Sequence, residues 1–115
     1  MNLTGKWIFE EDFYFGKDFG ELVWSQKGTE IEGVLKFTEE IQGDKPFDVE
    51  LQIQGEINGI QIYFRAVAFE IINAVEDIDY SLDSWEGIIN RHGQIVGSSY
   101  DEDGICGVFT LTRKV

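Results

Sequence analysis

The feature that most constrains the fold is an alternation of apolar and polar side chains with a period of two residues. Between residues 47 and 57 every odd position is apolar or glycine, and every even position is polar. Side chains of a β-strand point alternately to opposite faces, so this pattern predicts a strand with one buried face. The same alternation returns at residues 31–37 and near the C-terminus at residues 105–111. The sequence therefore predicts an all-β protein.

Glycine-containing pairs separate the strand-like segments, at Lys27-Gly28, Asn58-Gly59, His92-Gly93 and Asp103-Gly104. Asn58-Gly59 is the strongest hairpin signal, because a type I′ turn needs positive φ at both central residues. Eight strands placed between such turns cover residues 4–11, 19–27, 29–39, 47–57, 59–71, 84–91, 93–101 and 105–114. The structure of two stretches is left undecided by the sequence. Residues 12–19 form either a loop lid or a short helix, and residues 70–83 form either a helical turn or a long connection.

The 115 residues fit one domain, spanning residues 1–115. Eight hairpin-connected strands with one apolar face can close into a barrel or split into two stacked sheets. Hairpins between neighbours throughout favour closure, so we expect a small up-and-down antiparallel barrel whose apolar face fills the interior. In the fifth strand Ile60, Ile62, Phe64, Ala66 and Ala68 are expected to point inward, which places Tyr63 and Arg65 outside.

The two ends of the chain carry a further signal. Thr4-Gly5-Lys6-Trp7 opens the first strand, and Arg113 ends the last. This arrangement resembles the calycin superfamily, the barrels that include lipocalins, fatty-acid-binding proteins and avidins. The resemblance implies a lipocalin-like barrel in which Gly5 and Trp7 on the first strand meet Arg113 from the last. The guanidinium would stack on the indole and seal the closure.

The opening is most similar to that of avidins, but the next residues depart from the avidin pattern. Ile8-Phe9-Glu10-Glu11-Asp12 follows Trp7, where an avidin has a polar Asn-Asp-x-Gly-Ser-type loop that holds biotin. Biotin is therefore not expected, and the resemblance implies a fold rather than a ligand.

Charge and cysteine content exclude several functions. With 22 acidic and nine basic residues the formal net charge is −13, which disfavours binding to nucleic acid and to anionic membranes. Cys106 is the lone cysteine and His92 the lone histidine, so neither an internal disulfide nor a classical zinc site is expected. No signal peptide is visible at the N-terminus, so we expect a cytoplasmic protein.

No catalytic constellation is apparent. His92 lies beside a turn glycine without an oriented partner, and acidic neighbours would raise the pKa of Cys106 rather than activate its thiol. Asp77, Asp79, Ser81 and Asp83 alternate as in a calcium loop, but the glycine and the final acid of such a loop are absent. We therefore expect no enzyme activity, no cofactor and no metal site.

The sequence does not identify a function, but two hypotheses follow from it. The first is non-enzymatic binding of a small apolar or amphipathic molecule at the end of the barrel opposite Trp7. Its expected pocket walls are Trp24, Phe37, Phe64 and Trp85, although core packing is the favoured role for Trp24 and Trp85, because side chains alone can fill an eight-stranded barrel. The alternative is an acidic protein-binding module, such as an inhibitor or immunity-type protein for a basic partner. It rests on the charge and on acidic segments at residues 10–12, 39–44, 76–83 and 101–103. A purely structural role is a third option.

Overall fold

A computed structural model describes residues 2–75 and 77–114, and its regular structure consists of eight β-strands. The strands are β1 (Gly5–Phe13), β2 (Gly16–Lys27), β3 (Glu30–Ile41), β4 (Phe47–Asn58), β5 (Gln61–Ile72), β6 (Asp83–Ile89), β7 (Ile95–Asp101) and β8 (Cys106–Arg113). No helix in this part of the chain is long and apolar enough to span a membrane.

Each strand pairs antiparallel with the next along the chain, and β8 pairs antiparallel with β1. The sheet is therefore a closed meander, as predicted, and does not split into two stacked sheets. Because β1 and β8 pair with each other, neither the first nor the last strand is a sheet edge. Pairing of β5 with β6 covers only residues 61–65 of β5, so the second half of β5 has no ladder partner on that side among the described strands.

The two stretches that the sequence leaves open are placed by the structure. Residues 12–19 form neither a lid nor a helix, but the tight hairpin between β1 and β2, in which Phe13 pairs with Gly16. Residues 73–82 are the connection between β5 and β6. The turn after Asn58 also differs from the prediction: only Gly59 has positive φ, at 64°, so it is not a type I′ turn. Asn58 pairs with Gln61, so Gly59 is the first of two loop residues, where a type II′ turn requires glycine.

The predicted inward face of β5 is wrong at both of its ends. Ile60 lies in the β4–β5 turn and is 60% exposed. Near the other end a register shift between Gln52 and Ile53 marks a β-bulge, so Ala68 pairs with the outward-facing Gln52. Phe69 then pairs with the buried Leu51. An extra residue reverses the alternation, which simple parity cannot anticipate.

A continuous apolar core fills one end and the middle of the barrel. Its aromatic members contact one another in series: Phe9 packs edge-to-face on Trp85, and Phe64 stacks on Trp85 with ring centroids 4.9 Å apart. Trp24 then packs edge-to-face on Phe64, at 5.3 Å. We call the end that holds Trp7 the closed end, and the opposite end the open end.

The seam between β1 and β8 has the predicted closure contact. Trp7 is fully buried and pairs with Arg113, whose guanidinium carbon lies 4.5 Å from the centre of the indole ring. The same guanidinium donates hydrogen bonds to the carbonyl oxygens of Thr4 (3.0 Å) and Asn2 (2.8 Å). Gly5 has a φ of 135°, and a Cβ there would lie 3.3 Å from Nη1 of Arg113. Glycine at this position therefore lets the chain pass beneath the guanidinium.

Candidate ligand cavity

A cavity of about 320 Å³ opens at the end of the barrel opposite Trp7. Its rim is made by the β3–β4 and β7–β8 turns and by the connection at residues 73–82. The volume is at the lower limit of small-molecule sites, and equals that of roughly ten water molecules at about 30 Å³ each. The barrel interior is thus packed at one end and open at the other.

Inward-facing carboxyl groups form the inner part of the cavity. On three neighbouring strands Glu11 pairs directly with Asp18, and Asp18 pairs directly with Glu39. Across the cavity, Asp83 of β6 pairs directly with Asp101 of β7. All five line the cavity, and we call them the carboxyl ring. Like charges directly opposite each other in a sheet are destabilising, so this arrangement is unfavourable for the empty fold.

Glu11 joins the carboxyl ring to the core below it. The side chain is 5% exposed, and its Oε1 accepts a hydrogen bond of 2.7 Å from the indole Nε1 of Trp85. Trp85 is fully buried, so its ring belongs to the core while its N–H faces the cavity floor.

Asp18 is the most deeply buried acid of the ring, at 3% exposure. Its Oδ1 receives no hydrogen bond from any group that the structure describes. Burial raises the pKa of Asp18 far above its ordinary value, and repulsion from Glu39 and Glu11 raises it further. Burial likewise raises the pKa of Glu39. The empty cavity therefore favours protonated acids at its floor.

Asp83 is held by the connection that forms the rim. The hydroxyl of Tyr80 donates a 2.7 Å hydrogen bond to Oδ2 of Asp83, and the Tyr80 ring packs against Phe69, with centroids 5.3 Å apart. Burial raises the pKa of Asp83 to about 7, while the bond from Tyr80 opposes that rise. Burial and the neighbouring Asp83 also raise the pKa of Tyr80.

The upper wall of the cavity is mixed, because apolar side chains alternate there with Asp44, Asp77, Asp79 and Asp103. Its aromatic and aliphatic members are Phe13, Phe15, Ile41, Phe47, Ile78 and Ile105. Phe13 and Phe15 pack edge-to-face, with ring centroids 5.1 Å apart, across the β1–β2 turn. Lys45 is the one basic side chain among the described residues that line the cavity, and it lies on the β3–β4 turn. The site thus combines an acidic floor with a wall in which apolar and acidic side chains are interspersed.

The four residues predicted as pocket walls lie elsewhere. Trp24, Phe37, Phe64 and Trp85 are each at most 4% exposed and belong to the core. None of them lines the cavity at the open end. Their packing leaves no gap for a ligand between Phe64, Trp85 and Trp24, whose rings are in contact. A direct role in ligand binding stays a prediction for these residues.

The carboxyl ring was missed by sequence reasoning although a signal was present. On three strands, an inward-facing aromatic core residue is separated by two positions from an inward-facing acid. The pairs are Phe9 and Glu11 on β1, Phe37 and Glu39 on β3, and Trp85 and Asp83 on β6. Sequence reasoning interprets such acids as solvated surface charge. His92 lies exposed in the β6–β7 turn at the closed end, far from the cavity.

Among the described residues, no three histidine, cysteine, aspartate or glutamate side chains are arranged to hold a metal ion. Cys106 has a free, exposed thiol on the cavity wall.

Comparison with known proteins supports the fold. No family model matches the sequence, and no curated protein matches it. Among solved structures, the chain is similar to a redesigned β-barrel, mFAP1, bound to DFHBI, with a TM-score of 0.70 and 12% identity. That match covers 96% of this chain and 94% of the other. The chain is also similar to a de novo designed fluorescence-activating β-barrel, with a TM-score of 0.59, 14% identity, and 97% and 94% coverage. At such identities the likeness establishes the barrel fold alone.

Proposed function

We propose that the protein is a non-enzymatic, cytoplasmic barrel that binds one small amphipathic molecule in the cavity at its open end. The observation that carries the proposal is the cavity itself, in which aromatic and aliphatic side chains stand above a floor of buried, facing carboxyl groups. Such a floor destabilises the empty barrel, and clusters of perturbed acids in clefts are concentrated at functional sites. We further propose that the barrel is calycin-like, since Gly5, Trp7 and Arg113 meet at the seam.

The structurally similar barrel mFAP1 is bound to DFHBI, and this is compatible with the proposal. In that protein a barrel of the same architecture holds a small molecule. The comparison supports the capacity of the fold, and the residues of this cavity supply the chemistry.

The test is a calorimetric titration of the protein with two small naphthalene compounds, naphthylmethanol and naphthylmethylammonium. We expect at least one to bind wild-type protein with one-to-one stoichiometry. Ile105→Trp should abolish that binding, because Ile105 lines the cavity and a larger ring would fill it. Ile88→Trp is the matched control: Ile88 is 44% exposed, Ile105 is 42% exposed, and Ile88 lies on β6 outside the cavity.

The proposal fails if neither compound binds, or if Ile105→Trp and Ile88→Trp bind as the wild type does. A native mass spectrum of protein purified from its own cells would complement the titration, because a retained small molecule adds a defined mass to the chain.

A protein-binding function is the second candidate, and one observation favours it. The acidic segments at residues 10–12, 39–44 and 101–103, together with residues 77–83, all lie at the open end; Glu76 is outside the described residues. A basic partner would therefore meet concentrated negative charge at one end of the barrel. A lysine-rich peptide that associates at a strongly salt-dependent rate, and that Ile105→Trp still binds, would favour this function over the first.

A further inference from the structure

We propose that the ligand of this cavity is an amphipathic organic cation, with an ammonium group among Glu11, Asp18 and Glu39 and an apolar body against the upper wall. This inference rests on the proposed small-molecule function and specifies the chemistry of its ligand.

The first support is the register of the sheet. Glu11, Asp18 and Glu39 are consecutive direct partners on β1, β2 and β3, and all three line the cavity. A row of facing acids on the outside of a sheet is relieved by water and salt. On the inside both reliefs are weaker, because Glu11 and Asp18 are almost fully buried.

The second support is the unpartnered oxygen of Asp18. Only 3% of this residue is exposed, it lines the cavity, and its Oδ1 has no hydrogen-bond partner among the described groups. Buried polar atoms in native proteins are nearly always satisfied, so an orphan acceptor that faces a cavity points to a missing donor. The neighbouring Glu11 and Glu39, when ionised, are acceptors too, so Asp18 can bond to them only while one of the three carboxyl groups carries a proton.

No ion pair between described residues brings a positive charge to this position, and Lys45, the one basic side chain among the described residues that line the cavity, lies above it on the β3–β4 turn. The three pairs between described residues join Lys17 to Glu40, Lys36 to Glu50 and Lys114 to Glu21. None of them involves the carboxyl ring. An ammonium group carries three N–H donors, one for each of the three neighbouring carboxyl groups, and its positive charge is opposite in sign to theirs.

The upper wall argues for an organic cation rather than a bare ion. Above the acids, Phe13, Phe15 and Phe47 present aromatic rings, and Ile41 and Ile105 present aliphatic side chains. These groups stabilise an apolar body by burial and contribute nothing to a hydrated metal ion. The cavity volume, about 320 Å³, also exceeds what one ion needs.

Binding of such a cation exchanges charge for charge. In the empty cavity a proton on Asp18 is the donor that relieves the three acids; when the ammonium group enters, that proton leaves to solvent and Asp18 becomes ionised. The groups that share this balance are Glu11 of β1, Glu39 of β3, Asp83 of β6, Asp101 of β7 and Tyr80 of the 73–82 connection. Binding of a neutral compound requires no proton release.

The experiment compares three compounds with the same naphthyl body: naphthylmethylammonium, naphthylmethanol and naphthoate. We expect the cation to bind wild-type protein at least about tenfold more tightly than the alcohol, and naphthoate not to bind. The affinity for the cation should rise between about pH 6 and about pH 8, and its heat of binding should vary with the ionisation heat of the buffer. Excess calcium or magnesium should not displace it.

Asp18→Asn tests the position of the charge. It keeps the size of the side chain and should lower affinity for the cation about tenfold or more, remove the proton release, and leave the alcohol unaffected. Asp12→Asn is the matched control, since Asp12 is exposed on the outer face of β1.

The outcomes separate the two proposals. Equal affinity for the cation and the alcohol, both blocked by Ile105→Trp, overturns the cation and leaves small-molecule binding intact. Displacement by calcium or magnesium, or equal losses in Asp18→Asn and Asp12→Asn, also overturns the cation. No binding of any of the three compounds overturns both.

Discussion

Asp18 is the residue at which burial and charge conflict most strongly. Its folded-state pKa is raised, chiefly by burial, so the folded protein holds a proton that the unfolded chain has lost. An acid whose pKa is raised by folding contributes fully to stability at pH values below its ordinary pKa, which is 3.8 for Asp18. That contribution is lost as the pH rises toward the pKa of the folded state. Between those two pKa values, one such acid lowers the free energy of unfolding by up to about 1.4 kcal/mol for each unit that the pH rises.

Asp18→Asn should therefore stabilise the empty barrel at neutral pH, because the amide is neutral in both states. We expect a gain of about 2 kcal/mol near pH 7 and a smaller difference near pH 4. Urea unfolding at the two pH values measures it, with Asp12→Asn as the exposed control. If Asp18→Asn is less stable than the wild type near pH 7, the buried carboxyl group of Asp18 does not destabilise the empty barrel, and the prediction is wrong.

The two inner tryptophans differ in what their N–H groups meet. Nε1 of Trp85 donates to Glu11, whereas Nε1 of Trp24 is buried without a hydrogen-bond partner among the described groups. Both Trp85→Phe and Trp24→Phe remove similar volume, but only the first removes a bond to a carboxyl group. Trp85→Phe should cost about 1.5–3 kcal/mol more in the free energy of unfolding. Equal costs in chemical denaturation would show that the bond to Glu11 contributes nothing.

At the scale of elements, the contact between β1 and β8 depends on Arg113. Arg113→Ala removes the stacking on Trp7 and the two hydrogen bonds to Thr4 and Asn2. Because the guanidinium is partly in water, we expect a loss of about 1–2 kcal/mol rather than more. Thermal and urea unfolding measure the loss. Arg91→Ala in the exposed β6–β7 turn is the control and should have little effect.

The connection at residues 73–82 is fastened to the barrel by Tyr80. The bond from its hydroxyl holds the pKa of Asp83 lower than burial alone would set it. Tyr80→Phe should therefore move the pKa of Asp83 above about 7, which carboxyl-carbon NMR can follow during a pH titration. Tyr14→Phe, in the exposed β1–β2 turn, should leave that titration unchanged. A fall in the pKa of Asp83 in Tyr80→Phe would contradict the assigned contact.

Strands such as β4 are predictable because they alternate clearly between turns, as at residues 47–57 with Gly59 in the turn that follows. The site is not, for two physical reasons. Glu11 and Glu39 follow the parity of Phe9 and Phe37, but their charge predicts exposure to solvent. Asp18 lies in a stretch without alternation of its own, and only pairing with its neighbours turns it inward.

At the scale of the molecule, both ends of the described chain lie at the closed end, away from the cavity. A circular permutant that joins residue 114 to residue 2 through a short linker, and opens in the exposed turn at His92-Gly93, should keep the barrel and the cavity. Circular dichroism and the naphthyl titration test both. A permutant opened at residues 77–79 is the counterpart, and should fold but bind more weakly, because these residues form the rim.

The seam between β1 and β8 has a consequence for synthesis on the ribosome. Its partners are far apart in sequence: the hydrogen bonds from Arg113 reach Thr4 and Asn2, separated by 109 and 111 residues. Until residue 113 has been made, the nascent chain has two unpaired strand edges, at β1 and at the most recent strand. Such edges template aggregation, so the growing chain is most in need of a chaperone just before its last strand emerges.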